Sequence, residues 1–254
     1  MSSAAPSPGN MLLSAIPPSE MSRLHPLLTR VRWVNGQSLH EAGEHIEHVF
    51  FVEQGFASMV AEADEGGDGV EIGLIGREGM VGYPVLLDPG AASYSQATVQ
   101  MPAGAMPGGA LRMAASALRD SFDDSPVLRR LLFQALQVFM AQVAQTAACN
   151  SLHSLSQRLA RWLLLAHDRM DGDELVLTQD FLGTMLAVRR SGVTNALGAL
   201  QAAGVVDLRR GHLTICDRPG LEAVACGCYG RVQAFTTAMA ARNSGFPDPA
   251  DPAA

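Results

Sequence analysis

The chain has 254 residues and a formal net charge of −7. Its length accommodates two domains with substantial cores, and its negative charge argues against a protein that coats nucleic acid regardless of sequence. The charge is unevenly distributed: residues 1–124 contain 15 acidic residues and six arginines, a balance of −9, whereas residues 186–215 contain four arginines and one aspartate, a balance of +3. The positive charge is therefore local, which indicates a local anionic ligand.

The first residues do not have the pattern of a secretory signal, and we find no uninterrupted apolar run of about 18 residues that would span a bilayer. We therefore expect a cytoplasmic protein. Its four cysteines, Cys149, Cys216, Cys226 and Cys228, are late and irregularly spaced, which fits reduced thiols. Only one residue separates Cys226 from Cys228, whereas zinc ligands are typically two to four residues apart. This spacing favours a core or interface role, and we predict no metal.

The pattern from about residue 31 to residue 112 is typical of β-structure. Short apolar runs such as HVFFVEQG, VEIGLIG and SQATVQM are separated by turns that contain Gly36, Gly43, Gly55, Gly66–Gly67 and Gly90. Many short strands at close spacing predict an antiparallel, jelly-roll-like β-roll, which we place at residues 12–124 in a chain of the α+β class. The ends, residues 1–10 and 244–254, are rich in small and turn-forming residues and are predicted to be mobile.

Residues 125–150 predict one long helix, because Ser125 supplies an N-cap and Pro126 fits the first helical position. We assign to this dimerisation helix the apolar stripe Leu128, Leu132, Leu136, Phe139 and Val143. A second side is also apolar, through Leu131, Phe133, Val138 and Met140. One face covers the roll and the other needs a partner, for which a second copy of the helix is the economical choice. The alternative is a helix buried wholly in its own monomer.

Residues 151–230 predict a winged helix-turn-helix. A capped short helix, a tight turn and a second helix with apolar residues at i, i+4 and i+7 make up the motif, and two short strands follow as a wing. In chain order, the predicted elements are a helix over 152–169, a helix over 179–186 capped by Thr178, a helix over 190–202 stopped by Gly204, and strands over 205–208 and 213–216. A partly disordered C-terminal extension is predicted over residues 231–254.

The apolar stripe of the second helix, formed by Val193, Leu197 and Leu200, determines which side chains face outward. Polar side chains near the N-terminal end of this helix then lie where a recognition helix meets base edges in the major groove. Arginine pairs with guanine, asparagine pairs with adenine, and threonine contacts a thymine methyl group. The predicted base-reading residues are Arg190, Ser191, Thr194 and Asn195. The predicted phosphate and wing contacts are Thr178, Gln179, Arg189, Arg209, Arg210 and His212.

A glycine-punctuated roll, a long helix and a winged helix-turn-helix, in this order, resemble the Crp/Fnr superfamily of bacterial transcription regulators. The resemblance covers about residues 12–230 and is strongest over residues 146–206. It implies that the roll senses a signal, that the long helix dimerises, and that the second helix of the motif reads each half of a palindromic operator. By the family pattern, Arg190, Ser191 and Asn195 fall at base-reading positions. Asp180 falls near a phosphate-contact position, where its charge departs from the pattern.

The resemblance does not extend to the family's usual effector sites. Members that bind cyclic AMP carry a Gly-Glu pair and an Arg-Ser or Arg-Thr pair in the roll, but residues 79–99 contain no arginine and no glutamate follows Gly82. A buried phosphate without a cation would be costly to desolvate. No cysteine precedes Cys149, which argues against the iron–sulfur cluster of the oxygen-sensing members. We therefore predict no cofactor and leave open an unidentified small effector, as well as a haem ligand among His40, His45, His48 and His153.

The sequence contains no nucleophile motif, phosphate-cradling loop or suggestive pair of carboxylates. The run GLIGREGMVG lacks the strand-to-helix context of a dinucleotide site. We therefore predict a protein that is not an enzyme. The predicted partners are double-stranded DNA and a second copy of the chain, with RNA polymerase left open and no membrane. The competing hypothesis is a ligand-sensing dimer that acts through protein contacts rather than through DNA.

Overall fold

The structure is a computed structural model that describes residues 9–62, 69–88, 90, 92–101 and 109–243. Its strands are β1 Thr29–Arg32, β2 Ser38–His40, β3 His48–Val52, β4 Phe56–Glu62, β5 Gly69–Ile75, β6 Met80–Val81, β7 Gln96–Gln100, β8 Gly109–Ala114, β9 Glu174–Val176, β10 Val206–Arg209 and β11 His212–Ile215. Its helices are α1 Met11–Ser14, α2 Pro18–Leu24, α3 Ala115–Asp124, α4 Pro126–Leu152, α5 Leu155–His167, α6 Gln179–Met185, α7 Arg190–Ala202, α8 Arg218–Val224 and α9 Cys228–Asn243.

The predicted antiparallel roll is confirmed. It consists of two four-stranded sheets, with strand orders β1-β8-β3-β6 and β2-β7-β4-β5, in which every pairing is antiparallel. Val49, Phe51 and Met113 are almost fully buried between the sheets. One predicted turn has a clear steric reason: Gly55 has a φ of 68°, and a Cβ atom there would lie 2.3 Å from the carbonyl oxygen of Gln100.

The N-terminal end of the described chain is held against the roll, so the prediction of mobility is wrong for Asn10. Its side-chain amide donates to the carbonyl oxygens of Val52 and Gly79, both at 2.9 Å, and its Oδ1 caps α1 by accepting from the backbone N–H of Leu13. Fully buried amides keep such partners because an unsatisfied polar group is costly. Residues 1–8 and 244–254, together with the turn at Gly66–Gly67, lie outside the described residues.

Helix α4 begins as predicted, with the Ser125 hydroxyl accepting from the backbone N–H of Leu128 at 3.0 Å. The stripe that we assigned to the dimerisation helix faces the roll instead of a partner. Leu128, Leu132 and Phe139 are buried in the core of the roll, and Leu136 and Val143 pack against it. The periodicity marked a buried face correctly, but it could not show which of two apolar faces the roll covers.

A second face of α4 is exposed, and its spacing is regular. Eight exposed positions alternate at intervals of four and three residues and form what we call the outer stripe: Pro126, Arg130, Phe133, Gln137, Met140, Ala144, Ala147 and Ser151. Asn150 and Leu152, at the end of the helix, are exposed outside this stripe. This is the heptad spacing of a coiled-coil seam. Phe133 and Met140 are 44% and 62% exposed. By length and composition alone α4 also meets the criterion for a membrane span, a candidate that the sequence analysis did not find.

The buried side of α4 shows how the helix is used. The Gln142 side chain is buried and pairs with the backbone of β5, donating to the carbonyl oxygen of Leu74 at 2.8 Å and accepting from its N–H at 3.4 Å. The pairing attaches the middle of the helix to the roll. A helix fixed to the roll on one side, with arginine and glutamine in its exposed seam, fits a protein partner better than a lipid one.

The helices after α4 form a second core that also touches the roll. Phe56, Val60 and Leu74 of the roll belong to this core. Trp162 of α5 donates its indole N–H to Glu71 of β5 at 2.8 Å. Residues 231–243, which we assigned to the C-terminal extension, continue helix α9, and this helix packs along α4.

Candidate nucleic-acid interface

The motif predicted around residues 179–202 is present as α6, a tight turn and α7. Thr178 caps α6 as predicted, because its hydroxyl accepts from the backbone N–H of Phe181 at 3.1 Å. Ala187 in the turn has a φ of 50°, the one positive value outside glycine in the described part of the chain. At Gly183 an added Cβ would lie 3.0 Å from the carbonyl oxygen of Val188, so the small residue allows the turn to fold against α6.

The inward stripe of α7 is confirmed, and it determines the outward face. Val193, Leu197 and Leu200 are at most 3% exposed. The four predicted base-reading residues are all exposed along the opposite side: Arg190, Ser191, Thr194 and Asn195. Within the described residues, the side chains of Ser191 and Asn195 have no hydrogen-bond partner. These side chains are free to meet a ligand, and their role in reading bases remains a prediction.

Arg190 is not free, and its partner is the residue that departs from the family pattern. Its guanidinium Nη1 lies 3.2 Å from Oδ2 of Asp180, and both side chains are about two-thirds exposed. Thr194 is also engaged, since its hydroxyl lies 2.7 Å from Oε1 of Gln179 and 3.0 Å from the carbonyl oxygen of Arg190. The polar atom of Thr194 therefore serves the contact between α6 and α7, and its methyl group is left for other contacts.

The wing is confirmed as β10 and β11, with β9 added as a third strand in the order β10-β11-β9. The turn between β10 and β11 contains Gly211, whose φ is 77°. Arg209 pairs with Asp207 at 3.1 Å, and His212 pairs with Glu174 at 2.6 Å. An open cleft of about 630 Å³ separates the wing from the start of α7.

Two of the predicted contact residues keep an unopposed charge. In the described ranges, neither the Arg189 nor the Arg210 guanidinium has a hydrogen-bond or ion-pair partner, and both are exposed. Arg190, Arg209 and His212 each face one carboxylate. Exposed ion pairs of this kind are worth about 0–1 kcal/mol, so an incoming polyanion displaces them at small cost.

Gly192 lies on the side of α7 that contacts α5. A Cβ atom there would meet Cδ2 of Leu155 at 3.2 Å. The absence of a side chain at Gly192 therefore allows two helices of the same chain to pack closely.

Sequence reasoning missed one group of side chains completely. Three of the four cysteines, Cys149, Cys226 and Cys228, come together with His153, and their ligand atoms all lie within 4.8 Å of one another. We had predicted no metal because Cys226 and Cys228 lack the usual spacing of zinc ligands and have no companion pair in the sequence. One signal was available in the sequence: Cys149 and His153 are four residues apart, which places both on one side of a helix end.

The comparisons with known proteins agree with this geometry. Residues 157–224 match the family of Crp-like helix-turn-helix domains. A comparison with curated proteins finds no match. Among solved structures, the chain is similar to FixK2 from Bradyrhizobium japonicum, with a TM-score of 0.64 and 15% identity over 78% of this chain and 98% of that one.

Two further solved structures have the same fold. A putative Crp/Fnr-family regulator from Eubacterium rectale has a TM-score of 0.63 and 18% identity, covering 84% of this chain and 96% of its own. The c-di-GMP responsive global regulator CLP from Xanthomonas campestris has a TM-score of 0.60 and 17% identity, covering 78% of this chain and 99% of its own. At these identities the likeness is one of fold.

Proposed function

We propose that this chain is a transcription regulator of the Crp/Fnr type that acts as a cytoplasmic homodimer on a palindromic operator. The match of residues 157–224 to Crp-like helix-turn-helix domains supports the DNA-binding role, and the likeness to solved regulators supports the fold. Each chain inserts the N-terminal part of α7 into the major groove of one half-site. The wing then lies over the neighbouring phosphates. No catalytic step belongs to this proposal.

The observation that carries the proposal is the division of α7 into two faces. Val193, Leu197 and Leu200 are buried, so Arg190, Ser191 and Asn195 are presented to solvent. Arginine and asparagine are the residues that pair bidentately with guanine and adenine, each pair being worth about 1–3 kcal/mol of discrimination. We assign base reading to these residues and to the methyl group of Thr194.

Phosphate contacts belong to the residues around the recognition face. Arg189 and Arg210 are assigned to them first, since both are exposed and lack an acidic partner among the described residues. Arg209 and His212 join them once their carboxylate partners are displaced. Thr178 and Gln179 are assigned to phosphate contacts because they line the same cleft as Arg209 and Arg210.

The dimer forms along the outer stripe of α4. Its heptad spacing, its exposed Phe133 and Met140, and the small residues Ala144 and Ala147 near its C-terminal end support close pairing with a second copy. A two-fold axis along α4 presents two copies of α7 to one side of a duplex, so the half-sites are expected about one helical turn, roughly 34 Å, apart. Any contact with RNA polymerase would use a surface other than the dimer seam and the DNA-binding face.

The roll does not bind cyclic AMP in the usual manner of the family. Supporting this, the stretch from residue 79 to 99 contains no arginine, and Met80, Val81, Tyr83, Val85 and Leu86 are all buried in the apolar core. A cyclic phosphate placed there would have no cation opposite it. Any effector of the roll is therefore of another chemical class or binds in another manner.

Footprinting of the full chain on a duplex selected from a random pool tests the proposal, together with the mass of the complex. We expect two chains per duplex and two protected segments on one face. Protection of a single half-site by one chain would contradict the dimer. Absence of binding to any duplex, or binding without a steep dependence on salt, would instead favour a sensor that acts through protein contacts.

A further inference from the structure

Three cysteines and one histidine form a compact group where the dimer helix meets the DNA-binding domain. Cys149 lies in the last turns of α4, and His153 is the residue that ends it. Cys226 lies in the turn between α8 and α9, and Cys228 is the first residue of α9. Cys149, Cys226 and Cys228 are 0%, 5% and 4% exposed. We call this group the thiol cluster.

The distances in the thiol cluster suit one tetrahedral ion. Two sulfurs bound to the same zinc ion at about 2.3 Å lie roughly 3.8 Å apart, and a sulfur and a nitrogen lie slightly closer. The Sγ atoms of Cys149 and Cys226 are 3.4 Å apart, and Sγ of Cys228 is 3.6 Å from Nδ1 of His153. All four ligand atoms lie within 4.8 Å of one another, so small side-chain rotations bring them around a common centre.

The chemistry of the four side chains selects the type of ion. Thiolates and imidazole suit zinc, whereas calcium and magnesium require oxygen ligands. Three cysteines with one histidine are among the standard ligand sets of closed structural zinc sites. A cluster of several irons needs ligands that are spread over more than one metal atom, whereas these four ligand atoms all lie within 4.8 Å of one another.

A buried cation beside the thiol cluster supplies the charge that such a site needs. Zinc with three thiolates and a neutral imidazole carries one net negative charge. Arg161 is 4% exposed, and its Nη2 donates to Oγ1 of Thr146, one turn before Cys149, at 2.9 Å. Its Nε has no hydrogen-bond partner in the described chain. Gln145 adds an amide N–H donor 2.9 Å from Sγ of Cys228, a contact that orients and stabilises a metal-bound thiolate.

A reactive redox pair is a poorer interpretation of the same residues. The Sγ atoms of Cys149 and Cys226 are 3.4 Å apart, well beyond the bonded distance of about 2.05 Å. All three thiols of the cluster are buried. Cysteines that react with oxidants are typically exposed and have a depressed pKa.

We propose that Cys149, His153, Cys226 and Cys228 bind one zinc ion per chain. The ion joins the two ends of the DNA-binding domain, since the 72 residues between His153 and Cys226 contain α5 to α8 and the wing. It also fixes these ends to the dimer helix. Closing so long a loop restricts the unfolded chain and stabilises the domain. The further consequence that metal binding favours DNA binding rests on the proposed function.

The test uses the full chain, purified under reducing conditions. Elemental analysis should find one zinc per chain. Cobalt added to the metal-free protein should produce the intense visible bands of tetrahedral thiolate coordination, and zinc should abolish them. Cys226→Ser should lose the metal, whereas Cys216→Ser should retain it, because Cys216 is exposed and lies outside the thiol cluster. A chelator should lower the unfolding temperature of the wild type and of Cys216→Ser, but not that of Cys226→Ser.

Two further measurements separate loss of the metal site from misfolding and from loss of DNA binding. His153→Cys should still bind cobalt, with stronger charge-transfer absorption from a fourth thiolate, so a folded and loaded variant reports on ligation. DNA affinity is measured on the same samples. A protein that binds metal but not DNA would contradict the proposed function alone. A protein that binds DNA but contains no metal would contradict the zinc site alone. Iron with sulfide, a Cys149–Cys226 disulfide in place of metal, or equal metal content in Cys226→Ser would overturn the zinc site.

Discussion

Asp180 and Arg190 form an ion pair across the start of the two helices of the motif, with 3.2 Å between Oδ2 and Nη1. The sequence had marked Asp180 as an acid in a place where a phosphate contact is expected. In the structure this acid holds the side chain that we assign to base reading. The pair both orients Arg190 and competes with DNA for it.

Replacing Asp180 by asparagine should therefore tighten DNA binding. The change releases Arg190 and removes one charge that repels phosphate, for a gain of roughly threefold in affinity at low salt, as expected for an exposed pair worth less than 1 kcal/mol. Fluorescence anisotropy with a selected operator measures this. Asp120→Asn, which removes an exposed acid from α3, is the matched control and should leave affinity unchanged. Weaker binding by Asp180→Asn would mean that orienting Arg190 matters more than freeing it.

Asn195→Ala and Arg210→Ala should differ in kind. Asn195 faces outward without a side-chain partner among the described residues, and we expect its loss to cost about 1–3 kcal/mol on the selected site and to relax preference at one base pair. Arg210→Ala should weaken binding to all sequences alike. It should also reduce, by about one, the slope of the logarithm of the binding constant against the logarithm of salt concentration. Binding constants on matched and mismatched duplexes at several salt concentrations separate the two. If both variants lost the same affinity for matched and mismatched duplexes, the assignment of Asn195 to base reading would be wrong.

Met140→Glu should dissociate the dimer. Met140 is 62% exposed in the middle of the outer stripe, so in a parallel pair two carboxylates would face each other in an apolar seam. We expect dimer dissociation to rise on the order of 100-fold, with a matching loss of operator binding, as measured by sedimentation velocity. Leu87→Glu alters a side chain that is 69% exposed on the roll and should leave the dimer intact. A Met140→Glu protein that stays dimeric would place the seam elsewhere.

Glu71 predicts a pH dependence of stability. Burial raises the pKa of Glu71 to about 8, against the opposing hydrogen bond from Trp162. A raised carboxyl pKa means that the folded chain binds more protons than the unfolded chain between about pH 4.5 and pH 8. The contribution of Glu71 to the free energy of unfolding is therefore complete below about pH 4.5. It is lost as pH rises to about 8, at a rate of at most about 1.4 kcal/mol per pH unit.

Glu71→Gln checks this sign. The amide mimics the protonated carboxyl, so the variant should be more stable than the wild type at pH 8 and should show a flatter stability profile between pH 5 and pH 8. Denaturant unfolding at several pH values measures both. Glu222→Gln, at an exposed position on α8, should retain the wild-type profile. If Glu71→Gln also retained it, the slope would belong to another group.

Much of the fold could be predicted because it depends on local patterns. The roll follows from short apolar runs and glycine turns, α4 from its Ser125 cap and Pro126, and α7 from a stripe spaced at i, i+4 and i+7. These signals lie within a few residues of each other. Helices α1 to α3 were missed because they are short and lie almost entirely within residues 12–124, which were assigned to the roll as a whole; their buried side chains pack in the core of the roll.

What the sequence could not provide is the pairing of distant residues. Leu128 and Met140 look equivalent in the pattern, and only the position of the roll decides that Leu128 is buried and Met140 exposed. The partners of Arg190 and His212 come from other elements of the motif. The thiol cluster joins residues 73 positions apart or more across its two halves, and no spacing rule for neighbouring ligands detects such a group.

The measurement that tests most directly whether the polar face of α7 reads DNA is selection from one random duplex pool by the wild type and by Arg190→Ala side by side. We predict that the wild type selects an inverted repeat, and that Arg190→Ala selects the same repeat with the preference lost at one symmetric pair of guanines. An identical motif from both proteins, or no enriched repeat from the wild type, would contradict the assignment of Arg190 to a base edge.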